Sequence, residues 1–402
     1  MSFEARKSEV LIHLTDSNGN PIANTSLNAK LSKHEFLFGC GAFDFIPRAN
    51  MNPVVPIFED RADKWLRLYN YGTLPFYWGG YEPTEGNPNY DQLMNAAKFM
   101  TGNNVTVKGH PLCWHTVCAD WLMKYDNKTI LDKQLARINR EVTAFRGVID
   151  MWDVINEVVI MPVFDKYDNA ITRICKEYGR VNLVKEVFDA AKAANPDAVF
   201  LINDFNLSDK YASLISDCLD AGVKFGAIGL QTHQHQGYMG LEKLSEILRR
   251  FEKFGIPLHF TENTLVSGHI MPADIVDLND YQIPEWPTTP EGEERQAKEI
   301  KEMYSFLFEH PLVEAVTGWD FADGAWLGAP SGVIRKDGSV KPSYTLLREL
   351  IHNEWTTECE LRTDENRNAR LYGFRGTYDI TCGDKKTVLR LGKDTASCSI
   401  TL

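Results

Sequence analysis

Between about residues 36 and 352 the chain alternates short apolar runs with amphipathic helical patterns. That alternation constrains the fold more than any figure of composition. Parallel strands need a long crossover connection, and a helix is its usual form. The strand candidates are Phe36–Gly39, Leu66–Asn70, Val105–His110, Gly147–Ile155, Ala198–Asn203, Ala227–Gln231, Leu258–Glu262 and Val316–Asp320. Thr129–Phe145, Arg180–Ala194, Tyr211–Ala221, Leu241–Phe254 and Glu291–Glu309 carry helical periodicity between them. Eight strands with crossover helices predict the α/β class and a closed (β/α)8 TIM barrel, whose reactive groups sit at the carboxyl ends of its strands.

The two ends of the chain have a different texture. Val10–Leu14 and Thr25–Leu31 alternate like strands around Asn18-Gly19, a hairpin signal. The tail repeats this texture in Cys359–Arg362, Ala369–Thr381, Thr387–Leu391 and Ala396–Leu402. Neither end holds enough strands for a stable sheet of its own. The expectation is one small β-sandwich with the barrel inserted into it: residues 1–35 and 353–402 form the sandwich, and residues 36–352 the barrel. The connection from Thr264 to Pro290 has no clear period and carries Pro272, Pro284, Pro287 and Pro290 around Trp286, so it reads as a functional lid or a disordered loop.

A net charge of −12 argues against nucleic acid or an anionic membrane as partner. Nine Trp and fifteen Tyr suit neutral sugars, whose apolar ring faces stack on such side chains. The eight cysteines contain no C-x-x-C pair, so most read as buried free thiols, with Cys382 and Cys398 in the tail able to pair. The amino terminus shows no apolar leader and the chain no membrane-spanning run. The expectation is a monomer, secreted or at the cell surface with its leader removed, or alternatively cytoplasmic.

Two glutamates stand out against this frame. Glu157 closes the apolar run Val148–Ile155 with Asn156 before it, and Glu262 closes Ile256–Phe260. A carboxylate at the end of a buried strand is an expensive place to leave charge unless it is hydrogen-bonded or reactive. Two of them converging on the catalytic face of a barrel suggest glycoside cleavage, one as acid/base and one as nucleophile.

Four stretches together resemble glycoside hydrolase family 10, whose characterised members are mostly endo-β-1,4-xylanases. They are Lys108-Gly-His-Pro-Leu-Cys-Trp-His115, Trp152-Asp-Val-Ile-Asn-Glu157, Gly229-Leu-Gln-Thr-His-Gln-His235 and Thr317-Gly-Trp-Asp-Phe-Ala-Asp-Gly-Ala-Trp326. The resemblance implies a retaining hydrolase of xylan-type polysaccharide or oligosaccharide, with Glu157 as acid/base and Glu262 as nucleophile. It implies substrate contacts from Trp78, Lys108, His110, Trp114, His115, Asn156, Gln231, His233, Trp319 and Trp326, with His233 orienting Glu262. It implies no cofactor and no metal.

The chain departs from the family in two places. Members usually carry a Glu-Asn…Lys-Trp stretch after strand two. Here the segment Asn70–Pro83 keeps Trp78 and Glu82-Pro83 but lacks the Glu, Asn and Lys. Losing groups that read a hydroxyl shifts specificity, which points to a substituted xylan. The usual Glu-Leu-Asp at the nucleophile is Glu262-Asn263-Thr264, so anchoring of His233 is expected to pass to Thr264 or Asp320. Two other readings stay open. One is a binuclear metal hydrolase built on His233, His235, His110, His115 and Asp320; the other is the same family-10-like site put to another use, either hydrolysis of another β-linked polysaccharide or carbohydrate binding without turnover.

Overall fold

The computed structural model describes residues 3–401. Eight parallel strands close into a barrel: Leu37–Gly41, Tyr71–Pro75, Thr106–His110, Met151–Asn156, Val199–Asp204, Ala227–Leu230, Leu258–Leu265 and Val313–Gly318. The last pairs with the first through Ala315 opposite Leu37, which completes the ring. Met151–Asn156 and Leu258–Leu265 are buried along their whole length, as strands covered on both faces must be.

The barrel interior changes character along its axis. At the amino-terminal end Tyr71, Met151, Leu201, Ala227 and Ala315 form an apolar plug. Above it lie Lys108 and Asp153, both fully buried, with Nζ 2.6 Å from Oδ2. Gly109, between Lys108 and His110, is obligatory: a Cβ there would drive into the Trp152 ring. The polarity needed at the carboxyl ends is therefore already built into the strands.

Strand two is displaced from its expected place. Pro56–Leu66 is a helix, and the strand begins at Tyr71 rather than at Leu66. Apolar Trp65, Leu68 and Tyr69 bury the helix end, a pattern that imitates a short strand. Asn70 makes the join, accepting from the Phe38 amide at 2.9 Å and donating to the Phe36 carbonyl at 3.0 Å.

The ends of the chain form two facing sheets. Asn368–Phe374, Lys7–Thr15 and Ser397–Thr401 make one; Glu358–Arg362, Ser26–His34, Gly376–Cys382 and Lys385–Leu391 make the other. The expected hairpin does not form. The turn at Asp16–Gly19 exists, but pairing stops after Thr15 opposite Pro21, and the two strands enter different sheets. Pro21 cannot donate to a ladder. The two strands instead face each other across the core, Val10, Ile12 and Leu14 from one side and Leu27, Ala29 and Leu31 from the other. Cys382 and Cys398 lie in different sheets, and all eight cysteines are free. Arg6 ties this unit to the barrel through the Phe308, His310 and Val313 carbonyls.

The connection after strand seven is ordered around its own small core of Val266, Met271, Trp286 and Ala329. Trp286 Nε1 donates to the His269 carbonyl at 3.0 Å. No helix of the described residues is long and apolar enough to cross a membrane.

Candidate active site

Glu157 follows strand four in a left-handed conformation, φ 57°, unusual for a non-glycine residue and characteristic of strained functional positions. Its amide donates to the Asn203 carbonyl at 2.8 Å, which fixes the turn. Its carboxyl accepts from Trp114 Nε1 at 2.8 Å and, more loosely, from Gln231 Nε2 at 3.4 Å. Burial, followed by the neighbouring Glu262 charge, pushes it up to about 8.

Glu262, within strand seven, is held the other way. Burial pushes its carboxyl up, but the hydrogen bond from His233 and the charges of His110, His233 and Lys108 outweigh that and leave it below the ordinary range. His233 Nε2 lies 3.0 Å from Oε2, and Asn203 Nδ2 donates to Oε1 at 2.8 Å.

One amide network joins the two carboxyls. Asn203 Nδ2 and Gln231 Nε2 donate to Asn156 Oδ1 at 2.8 and 3.0 Å. Asn156 Oδ1 is thereby occupied, which leaves its Nδ2 to donate elsewhere. Thr261 Oγ1 orients Asn203 by donating to its Oδ1 at 2.7 Å. Asn203 carried no signal beyond closing its strand.

Below this network His110 Nδ1 donates to Asp153 Oδ2 at 2.7 Å, and His110 Nε2 sits 4.0 Å from Glu262 Oε1. Trp319 packs edge-on against both His110 and His233, at 5.4 and 6.1 Å between ring centres. Trp326 lies 4.5 Å from the His233 ring. His110, Trp114, Asn156, Gln231, His233, Trp319 and Trp326 thus gather around the two glutamates.

Three expected contact residues fall elsewhere. Lys108 is fully buried and spent on Asp153, so it acts on the site through charge rather than touch. Trp78 is 5% exposed; it donates to Glu82 Oε2 at 2.9 Å and packs under Arg137. His115 is 1% exposed against Phe164, and burial drives it down to about 4. The aromatic surface facing the site from this side is Tyr77 instead, tilted over Trp114 at 5.5 Å and edge-on to His110 at 5.9 Å. Nothing in the sequence separated Tyr77 from its neighbours Phe76 and Trp78.

Neither expected anchor reaches His233. Thr264 Oγ1 accepts from the Gln234 amide and meets His235 Nδ1 at 3.2 Å. Asp320 accepts from Ser331 Oγ and the Trp326 amide. His233 Nδ1 is buried without a partner. Among the described residues no cluster of three or more His, Cys, Asp or Glu side chains is arranged to hold a metal ion, so the binuclear reading lacks a ligand set.

Comparison with known proteins agrees with this geometry. The family model described as glycosyl hydrolase family 10 matches residues 76–349. Anti-sigma-I factor RsgI6 of Acetivibrio thermocellus is 25% identical over 94% of this chain, and endo-1,4-beta-xylanase B of Thermotoga neapolitana is 24% identical over 69%. The match covers 45% of the first relative's length and 78% of the second's. Among solved structures, GH10 from Paenibacillus barcinonensis superposes with a TM-score of 0.65 at 21% identity, covering 79% of this chain and 95% of that one. Xylanase 10B of Thermotoga petrophila, solved with xylobiose, gives 0.64 at 20% identity, covering 80% and 95%. The family match spans most of the chain, including Glu157, Glu262 and the network that joins them: the chain belongs to glycosyl hydrolase family 10.

Proposed function

We propose that this chain hydrolyses internal β-1,4 linkages of xylan-type polysaccharide, substituted xylan included, by retaining double displacement. Glu262, ionised, attacks the anomeric carbon while Glu157, protonated, gives its proton to the departing glycosidic oxygen. Glu157 then removes a proton from water, and that water releases the sugar from Glu262. Asn156 Nδ2 is free to donate to the sugar 2-hydroxyl, a contact that strengthens in the transition state. Tyr77, Trp319 and Trp326 offer the ring faces.

One observation carries the reading. Two carboxyls joined by one amide network have their protonation pushed in opposite directions, Glu157 up to about 8 and Glu262 below its ordinary range. That is the division of labour between a general acid and a nucleophile. Names among the relatives, endo-1,4-beta-xylanase foremost, supply the substrate class.

The test is product release from linear xylan, arabinoxylan, glucuronoxylan, β-glucan and mannan by wild type and Glu157→Ala. The reading expects products from one or more xylans, lost in the variant and partly restored by azide when the leaving group is activated. Xylan binding without any reducing-sugar product would favour the second reading, a carbohydrate-binding protein without turnover. One relative, matched over 94% of the chain, carries the name of an anti-sigma-I factor rather than of a xylanase.

A further inference from the structure

The loop that follows Glu157 and the loop that follows Glu262 are tied together. Lys166 Nζ lies 2.6 Å from Asp277 Oδ2 and 2.8 Å from Asp280 Oδ1. In the barrel order two strands, Val199–Asp204 and Ala227–Leu230, stand between the strands that bear these loops. The ion pair therefore spans the same gap across which the two catalytic carboxyls face each other.

Each half of this tie is anchored. On one side Phe164 packs on His115 at 4.5 Å, and Tyr167 packs on Phe164 at 4.9 Å. On the other, Gln236 Nε2 donates to both the Pro272 and Ile275 carbonyls, at 2.9 and 2.8 Å, and the Met271 amide donates to the His235 carbonyl at 3.0 Å. Asp277 caps the turn Leu278–Asp280 through the Asn279 amide at 2.9 Å. Between the Gln236 anchor and the ion pair stands Val276, fully exposed.

We propose that Lys166, Asp277 and Asp280 form a clasp across the cleft that slows entry of polymer interiors, so that internal cleavage competes with attack at chain ends and on short oligosaccharides. The proposal rests on the hydrolytic reading above. A chain entering an unbarred cleft lies down along its length, whereas a barred cleft must be threaded from an end. Ion pairs this exposed are weak and salt-screened, so the clasp restricts entry and does not seal the site.

The experiment compares wild type, Lys166→Glu, and the charge swap of Lys166→Glu with Asp277→Lys and Asp280→Lys. Two quantities are read: viscosity loss per reducing end formed on soluble xylan, and turnover of an aryl β-xylobioside. The clasp predicts a viscosity ratio about 1.5- to fivefold higher in Lys166→Glu, the range one exposed ion pair can carry, reverting in the swap. Aryl xylobioside turnover stays unchanged. Equal ratios in all three proteins, with that turnover intact, would overturn the clasp. If wild type turns over neither substrate, the hydrolytic reading has failed, and the clasp is read instead from the rate of association with soluble xylan. Faster binding by Lys166→Glu then supports it, and equal rates overturn it.

Discussion

Replacing Asn203 with alanine removes the one side chain that touches both halves of the catalytic network. Its Nδ2 donates to Asn156 Oδ1 and to Glu262 Oε1, each at 2.8 Å, and the residue is fully buried. A hydrogen bond to an ionised group is worth about 1.5–3 kcal/mol. At about 1.4 kcal/mol per decade, its loss corresponds to roughly ten- to hundredfold lower kcat/KM. The direction in pH follows from what the bond favours. In the proposed double displacement Glu262 must be ionised to attack, and it is held below its ordinary range against burial. Taking away a donor weakens the ionised form, so the acid limb of kcat/KM moves to higher pH. The alkaline limb belongs to Glu157, near 8, and shifts little. The assay is the pH profile of kcat/KM for an aryl β-xylobioside, with circular dichroism to show that the variant is folded. Asn203→Asp supplies the contrast: it keeps the shape but adds a negative charge, and moves the acid limb further. An acid limb unmoved in both variants would refute the reasoning.

Other outcomes follow from the same geometry. Trp114→Phe removes a donor that holds the Glu157 carboxyl down, so the alkaline limb rises in pH while the acid limb stays. Glu157→Gln stabilises the fold selectively at high pH. The folded carboxyl, near 8, binds its proton more tightly than an unfolded one, near 4.5, so wild type loses stability as pH rises through that window and the glutamine variant does not; melting at pH 5 and pH 9 reads the difference. Lys108→Met strands the fully buried Asp153 carboxylate and is expected to destabilise the protein by about 3–5 kcal/mol in chemical denaturation, far more than an exposed pair would. Exhaustive chelation leaves turnover of aryl xylobioside intact, and a loss restored by added metal would revive the binuclear reading.

Several parts of this arrangement were legible before any coordinates, and the reasons differ. The barrel was readable because parallel strands covered on both faces read as near-continuous apolar runs, as Ala227–Leu230 does. Strand two was misplaced because the buried end of its preceding helix, Trp65 to Tyr69, presents the same composition as a strand. The amino-terminal hairpin failed for a related reason. Alternation tells which residues face a core, yet two strands with inward faces pair side by side or oppose each other equally well. At the site, the meeting of Glu157 and Glu262 was readable because a carboxylate ending a buried run is conspicuous. Lys108 and His110 share the inner face of one strand, and sequence does not tell that Lys108 sits one layer deeper, spent on Asp153, while His110 stands level with Glu262. Tyr77 and the tie at Lys166 were invisible, since both depend on loops whose paths no local pattern dictates.

The central claim is that Glu262 forms the covalent bond and Glu157 handles the proton. The most direct measurement incubates the protein with an activated 2-deoxy-2-fluoro-β-xylobioside and maps the trapped sugar by peptide mass spectrometry. The double displacement predicts a single label on Glu262, formed quickly in wild type and absent in Glu262→Gln. A label on any other residue, or steady turnover of the unfluorinated substrate with no trapped species, would contradict it.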